Sequence, residues 1–186
     1  MLNCSVILDG TAQSFGEYEA VVSRCERWTY SRLDRAACQL ANGLRKAGIK
    51  KGDRLILACP NRIEFIIAFF GILKTGAVVV PVSILSKRRE LAFLIDDTQA
   101  KGIICLEGTE DLAIGKETVA AFRETDTCQS LWMIPEQPGG SISFDGVSAL
   151  NDLMEGMPDA LDTIWTEPGE TAVILYTSGT TGKPKG

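Results

Sequence analysis

The sequence predicts an α/β fold, a mainly parallel sheet flanked by helices. Three observations carry this: strand-like and helix-like patterns alternate from Ser31 onward, the strands are apolar on both faces, and glycines punctuate the helix ends. At 186 residues the chain has the length of about one domain and can bury a real core.

The elements follow in order. A helix near Ser5 to Gln13 precedes a hairpin, with strands at Ala20 to Ser23 and Arg27 to Tyr30 and a turn at Cys25-Glu26. Trp28 is expected to pack on the body of the domain. Ser31 with Asp34 reads as a helix start. Leu33, Ala36, Ala37, Leu40, Leu44 and Ala47 then recur at helical spacing up to Gly48. Arg54 to Cys59 reads as a buried strand. Asn61-x-x-Glu64 opens a second helix through Ile66, Ile67, Phe69, Phe70 and Leu73, stopped by Gly76. Ala77 to Val82, apolar throughout, reads as a central parallel strand.

Ser86 is the expected cap of a third helix, with Leu91, Leu94 and Ile95 inward and Lys87, Arg88 and Arg89 on a solvated face. Gly102 to Leu106 is a further internal strand. A helix at Glu117 to Glu124, a strand at Leu131 to Ile134 and a helix at Val147 to Met154 follow. Gln137 to Ser143 and Pro158 to Gly169 read as loops. Thr171 to Tyr176 reads as a strand that runs into the densest motif of the chain.

Composition excludes several functions. Acidic residues outnumber basic ones for a net charge of −5, which argues against a nucleic-acid binder. The longest apolar run, Ile63 to Leu73, contains Glu64 and falls short of the roughly 20 residues that cross a bilayer. No secretory leader pattern opens the chain. The six cysteines are scattered without a C-x-x-C pair and read as reduced thiols, several of them in the core. These features suit a cytoplasmic protein and are compatible with peripheral contact to a membrane. Histidine is absent, so a Ser-His-Asp or Cys-His nucleophile and any His-ligated metal are excluded from these residues.

The closing run is Tyr176-Thr177-Ser178-Gly179-Thr180-Thr181-Gly182-Lys183-Pro184-Lys185-Gly186. Its glycines let backbone amides approach an anion without a Cβ in the way. Thr177, Ser178, Thr180 and Thr181 supply hydroxyls, and Lys183 and Lys185 supply charge, a set suited to polyphosphate. It is not a Walker loop. Pro184 follows Gly182-Lys183 where a hydroxyl residue belongs, and Thr177 stands where the first glycine would be.

Tyr176 to Gly186 resembles the phosphate-binding signature of the adenylate-forming superfamily, which holds acyl-CoA synthetases, peptide-synthetase adenylation domains and luciferases. Two more stretches match in the same order. Trp28-Thr29-Tyr30-Ser31-Arg32-Leu33-Asp34 is similar to the family's T-Y-x-E-L motif, with Arg32 in place of the usual acid. Leu73-Lys74-Thr75-Gly76-Ala77 through Pro81 resembles its L-K-x-G-A-x-x-x-P motif. The likeness extends over essentially the whole chain, and Val82 to Gly108 looks most like bacterial long-chain fatty-acid–CoA ligases.

The resemblance implies that residues 1–186 are an incomplete N-terminal part of the AMP-binding large domain. It implies a ligase that joins a fatty acid to coenzyme A (CoA) at the expense of ATP, through an acyl-adenylate with release of pyrophosphate. Thr177, Ser178, Gly179, Thr180, Thr181, Gly182, Lys183 and Lys185 would hold the ATP phosphates, and Thr177 would reach Mg2+. The family's adenine pocket, acidic magnesium ligand, acyl tunnel and late lysine have no counterpart here. No catalytic residue is therefore expected within the chain, and the chain alone is expected to be inactive. Two alternatives stay open: a naturally truncated, non-catalytic protein that binds nucleotide or a partner, and part of an amino- or aryl-acid adenylation domain. A strand at Thr171 to Tyr176 without neighbours would also expose an apolar sheet edge, so self-association is expected.

Overall fold

The computed structural model describes residues 3–23, 26–177 and 186. An N-terminal helix α1 (Val6–Phe15) leads into a hairpin, β1 (Glu19–Val22) against β2 (Arg27–Thr29), antiparallel. The expected turn at Cys25-Glu26 lies partly outside the described residues. Helices and strands then alternate: α2 (Tyr30–Lys46), β3 (Arg54–Ala58), α3 (Ile63–Lys74), β4 (Val78–Pro81), α4 (Arg88–Thr98), β5 (Gly102–Leu106), α5 (Ile114–Phe122), β6 (Ser130–Ile134), β7 (Ser148–Ala149) and α6 (Leu150–Met154).

Strands β3 to β7 form one parallel sheet in the order β4-β3-β5-β6-β7. The chain steps from β3 outward to β4, then crosses back past β3 to β5. With right-handed crossovers, such a reversal places α3 on one face and α4 and α5 on the other. The packing agrees, since α2 rests on α3 and α4 on α5. The core between these layers includes Leu40, Leu44, Leu55, Ile56, Leu57, Ile72, Ile95, Ile103 and Ile104, all essentially fully buried. The predicted α/β class and its mainly parallel sheet are what the structure shows.

Several boundaries differ from the sequence expectation. Helix α2 is capped by Thr29, whose Oγ1 accepts the Arg32 N–H at 3.3 Å, and not by Ser31. Ser31 is held elsewhere, its N–H donating to the Gly16 carbonyl. Arg62 and not Asn61 occupies the cap position of α3. Lys87 and not Ser86 precedes α4, and the free Arg88 N–H of its first turn donates to the Glu117 carboxylate of α5 at 2.8 Å. A cap supplied from another helix leaves no local sequence signal. Helix α5 begins at Ile114 and closes at Phe122, ahead of the predicted Glu117 to Glu124. The predicted helix from Val147 begins only at Leu150, because Ser148 and Ala149 pair with Trp132 and Met133 as β7.

The predicted strand Thr171 to Tyr176 is reduced to a single parallel bridge, Val79 with Val173. Val79 donates to the Ala172 carbonyl and accepts from the Ile174 N–H, both at 3.0 Å. The next ladder bond would need an N–H at Pro81, which proline lacks. On the other side, the Ala77 N–H is taken by Thr75 Oγ1 at 3.3 Å. Side chains still alternate as in a strand: Ala172, Ile174 and Tyr176 pack on the core while Leu175 is exposed.

Candidate functional site

The closing motif is approached along two constraints set far away in sequence. The first is the strap of residues 159–165, which returns to the C-terminal end of α3. Ile164 N–H donates to the Lys74 carbonyl at 3.0 Å. Asn3 Nδ2 donates to both the Leu73 and Ile164 carbonyls at 2.7 Å, so the N-terminal segment clasps strap to helix. The second is the Val79 bridge, which fixes residues 172–174 beside β4.

From there the chain reaches Tyr176. Its hydroxyl donates to the Asp97 carboxylate near the C-terminal end of α4. Partial burial, and then the bond to Asp97 and that carboxylate's charge, push the Tyr176 phenol up to about 12. The hydroxyl is therefore a fixed donor at neutral pH. Thr177 follows, exposed. Of the predicted phosphate-binding residues, Thr177 is the one the structure places. Ser178, Gly179, Thr180, Thr181, Gly182, Lys183 and Lys185 lie outside the described residues. The motif's last residue, Gly186, lies against the same tyrosine: a Cβ there would sit 2.7 Å from Tyr176 Cζ and 3.0 Å from Ile174 Cγ2. Both ends of the motif thus meet at one aromatic ring.

The two other motif stretches serve as frame. Lys74 of the second motif is 1% exposed, with its Nζ paired to Asp9 of α1 and, at 2.8 Å, to Asp34 of α2. Burial by itself would lower the pKa of this lysine, but hydrogen bonds to Asp34 and Asp9 outweigh it and hold the ammonium above its ordinary value. Thr163 of the strap adds its hydroxyl to Asp9 at 2.8 Å. One buried cation therefore joins α1, α2, α3 and the strap. In the sequence Lys74 stands out only as part of a motif. Its position on the helix face that also carries the buried Ile67 and Gly71 offers a signal of burial. In the first motif, the Arg32 guanidinium stacks 3.7 Å above the Trp28 ring. That contact gives the basic residue a role where the family pattern has an acid. Trp28 is partly buried on the core, as expected. Trp132 is buried, whereas Trp165 is exposed.

Other chemistry is limited among the described residues. No group of three or more histidine, cysteine or acidic side chains could hold a metal ion. Cys38, Cys59, Cys105 and Cys128 are buried and free. Burial pushes Cys59 and Cys105 up to about 12 and Cys128 to about 11, and raises Cys38 as well. None of the four is a thiolate at neutral pH, so none is an activated nucleophile. A cavity of about 860 Å³ opens beyond the carboxyl ends of β5 and β6, lined by Glu107, Glu110, Lys116 and Glu136 among others. Burial disfavours the Glu107 carboxylate, but hydrogen bonds from Ser143 and the Glu136 backbone together outweigh this and keep its pKa below the ordinary value. No helix among the described residues is long and apolar enough to cross a membrane.

Comparison with known proteins agrees with this framework. The chain is 31% identical over 164 residues to acetyl-coenzyme A synthetase of Thiobacillus denitrificans, matching 85% of this chain and 25% of the relative. It is 32% identical over 162 residues to the uncharacterized acyl–CoA ligase YtcI of Bacillus subtilis, 87% of this chain and 28% of the relative. A medium/long-chain-fatty-acid–CoA/3-oxocholest-4-en-26-oate–CoA ligase of Mycobacterium marinum is 26% identical, over 100% of this chain and 33% of the relative. The chain thus spans a quarter to a third of the length of these curated relatives.

The fold superposes on the anthranilate CoA ligase AuaEII with a TM-score of 0.85, covering 98% of this chain and 33% of that one at 23% identity. It superposes on the N-terminal domain of FACL13 from Mycobacterium tuberculosis at 0.80, with 27% identity over 100% of this chain and 43% of that one. The family model described as "AMP-binding enzyme" matches residues 8–186, taking in all three motif stretches, the lysine-centred frame and the two ends that meet at Tyr176. The chain belongs to the AMP-binding enzyme family.

Proposed function

We propose that the chain is the N-terminal part of an ATP-dependent carboxylate–CoA ligase, in which residues 177–185 bind the β- and γ-phosphates of ATP. The observation that carries this reading is the glycine, hydroxyl and lysine run itself. It follows directly from a backbone segment pinned to β4 and ends on the ring where it began. Its donor set (hydroxyls, backbone amides and two ammonium groups) fits a polyphosphate better than a bare cation. Magnesium would arrive bound to the phosphates, with Thr177 offering one oxygen and water or further chain the rest. Donors of this kind stabilise charge that builds on pyrophosphate as it leaves, so the run would promote formation of an acyl-adenylate, from which CoA takes the acyl group.

A fatty acid is the favoured carboxylate, on the likeness of residues 82–108 and the Mycobacterium marinum relative. An aryl acid is the second reading. A 3-hydroxybenzoate–CoA/4-hydroxybenzoate–CoA ligase of Thauera aromatica is 28% identical over 94% of this chain. Alone, the chain is expected to bind phosphate weakly and to form no adenylate.

Calorimetric titration of the chain with magnesium tripolyphosphate tests the phosphate assignment. Binding is expected, and replacing Lys183 and Lys185 together by Ala should weaken it by about tenfold or more, as loss of charge-assisted bonds does. Absence of binding to the parent chain, or binding indifferent to both lysines, would sink the assignment.

A further inference from the structure

We propose that the cavity walled by α2, α3, α6 and the loop at residues 136–140 binds a small apolar amine, a molecule with an aryl or short alkyl body and one ammonium group. At about 420 Å³ it has the size of a small-molecule site. None of its lining residues belongs to the closing motif or to residues 172–177, so the site is independent of the phosphate assignment.

The lining is apolar first. Ala36, Ile63, Ile67, Leu150, Met154 and the Trp28 ring all face the cavity. Ala36, Ile67 and Leu150 are themselves buried, so the floor belongs to the core. One wall, residues 61–64, follows directly on β3, the strand at which the chain reverses its direction across the sheet. Open parallel sheets bind ligands beyond the carboxyl end of such a strand.

Charge then selects the ligand. Three charged side chains line the cavity: Glu26, Arg62 and Glu64. Arg62 is engaged by its neighbours, with two bonds to Glu64 at 3.1 and 3.3 Å and a third to the Glu136 carbonyl at 3.1 Å. Glu26 accepts the Trp28 indole N–H at Oε2, and the Arg32 guanidinium, which lies over the same ring, stands 4.0 Å from that oxygen. Glu26 Oε1 has no hydrogen-bond partner among the described residues. The lining thus holds one carboxylate in excess, and complementarity favours a cation. A carboxylate on the same apolar body would meet Glu26 and Glu64 with the one lining guanidinium already bound. The acid substrate of the proposed ligase is therefore disfavoured here.

Titration of the chain with phenylbutylamine, phenylbutanol and phenylbutyrate, which share one body and differ in charge, tests this. Two resonances of isotope-labelled protein report binding: the Trp28 indole N–H, whose proton is donated to Glu26, and the Met154 methyl group. Each is assigned by its loss in Trp28→Phe or Met154→Leu. Saturable shifts of both are expected with the amine, which should bind about threefold to tenfold tighter than the alcohol, as one half-exposed ionic hydrogen bond gives. The carboxylate should bind more weakly than either. Glu26→Gln keeps an acceptor for the indole N–H and removes only the charge. It should bring the amine to within about twofold of the alcohol and leave the alcohol's affinity unchanged.

The absence of a saturable shift at the two resonances, an amine that binds no tighter than the alcohol or the acid, or a Glu26→Gln variant that keeps the amine preference would overturn the proposal. Glu26 is exposed, so this variant is expected to fold, which an unchanged unfolding midpoint checks.

Discussion

Lys74 shows how many elements one buried residue can hold together. Its ammonium is fully enclosed, whereas Asp9 and Asp34 keep 23% and 25% of their side chains exposed. Removing the cation leaves two carboxylates facing each other in a cavity of about 700 Å³ that also holds Asp159 and Asp162. Breaking a buried pair from one side usually costs about 3–5 kcal/mol; the partly hydrated carboxylates put Lys74→Met near the lower end, about 3 kcal/mol. Urea unfolding measures this, and an unchanged midpoint would show that the cluster is not stabilising. The sign with pH is also determined. The lysine's folded pKa lies above its ordinary 10.5, so its contribution is fully present below that value and is lost as pH rises through the folded pKa. The difference in stability between parent and Lys74→Met should therefore shrink above pH 10.5 and stay constant around neutrality.

At the scale of elements, close approach between helices is secured by glycines. A Cβ at Gly43 of α2 would lie 2.1 Å from the Leu153 carbonyl oxygen of α6, and backbone cannot swing aside as a flexible side chain can. Gly43→Ala improves intrinsic helix propensity by about 1 kcal/mol, yet it should destabilise the protein by about 1–3 kcal/mol overall through overpacking. Thermal unfolding decides between the two signs; a raised midpoint would mean that α6 is free to move away.

The same scale shows what could be read from sequence. Parallel strands announced themselves, because Leu55 to Ala58 and Ile103 to Leu106 must be apolar on both faces when helices cover both. Helix stops at Gly48 and Gly76 were equally legible, both with the positive φ that glycine tolerates. Caps were not, because the acceptor for the first turn of α4 comes from Glu117 on another helix, and Thr29 caps α2 while the Ser31 N–H donates to the Gly16 carbonyl. Pro81 belongs to a recognisable motif, but its effect on the neighbouring segment depends on which edge its missing N–H faces. For the candidate site, the motif named the residues, while the ties through Val79 and Asp97 arise from tertiary pairing that no local pattern encodes.

At the scale of the whole molecule, the sheet ends unevenly. On one side β7 is two residues long, which blunts that edge. On the other, residues 172–174 hold to β4 by one bridge among the described residues, and Leu175 stands 67% exposed. Leu85 at 71% and Trp165 at 56% add further exposed apolar surface. An edge of this kind offers hydrogen bonds and apolar contact together, the two ingredients of strand addition by a second copy. The isolated chain is therefore expected to self-associate in a concentration-dependent way, despite a net charge of −5 that opposes contact between like molecules. Sedimentation velocity over a wide concentration range reads this directly. Leu175→Lys should shift the distribution toward monomer, since a lysine at an exposed edge position resists pairing, while Ile7→Lys, at a residue exposed on helix α1 and outside the sheet, should leave it unchanged. A parent chain that sediments as monomer throughout, or an Ile7→Lys variant that is as effective as Leu175→Lys, would move the contact away from this edge.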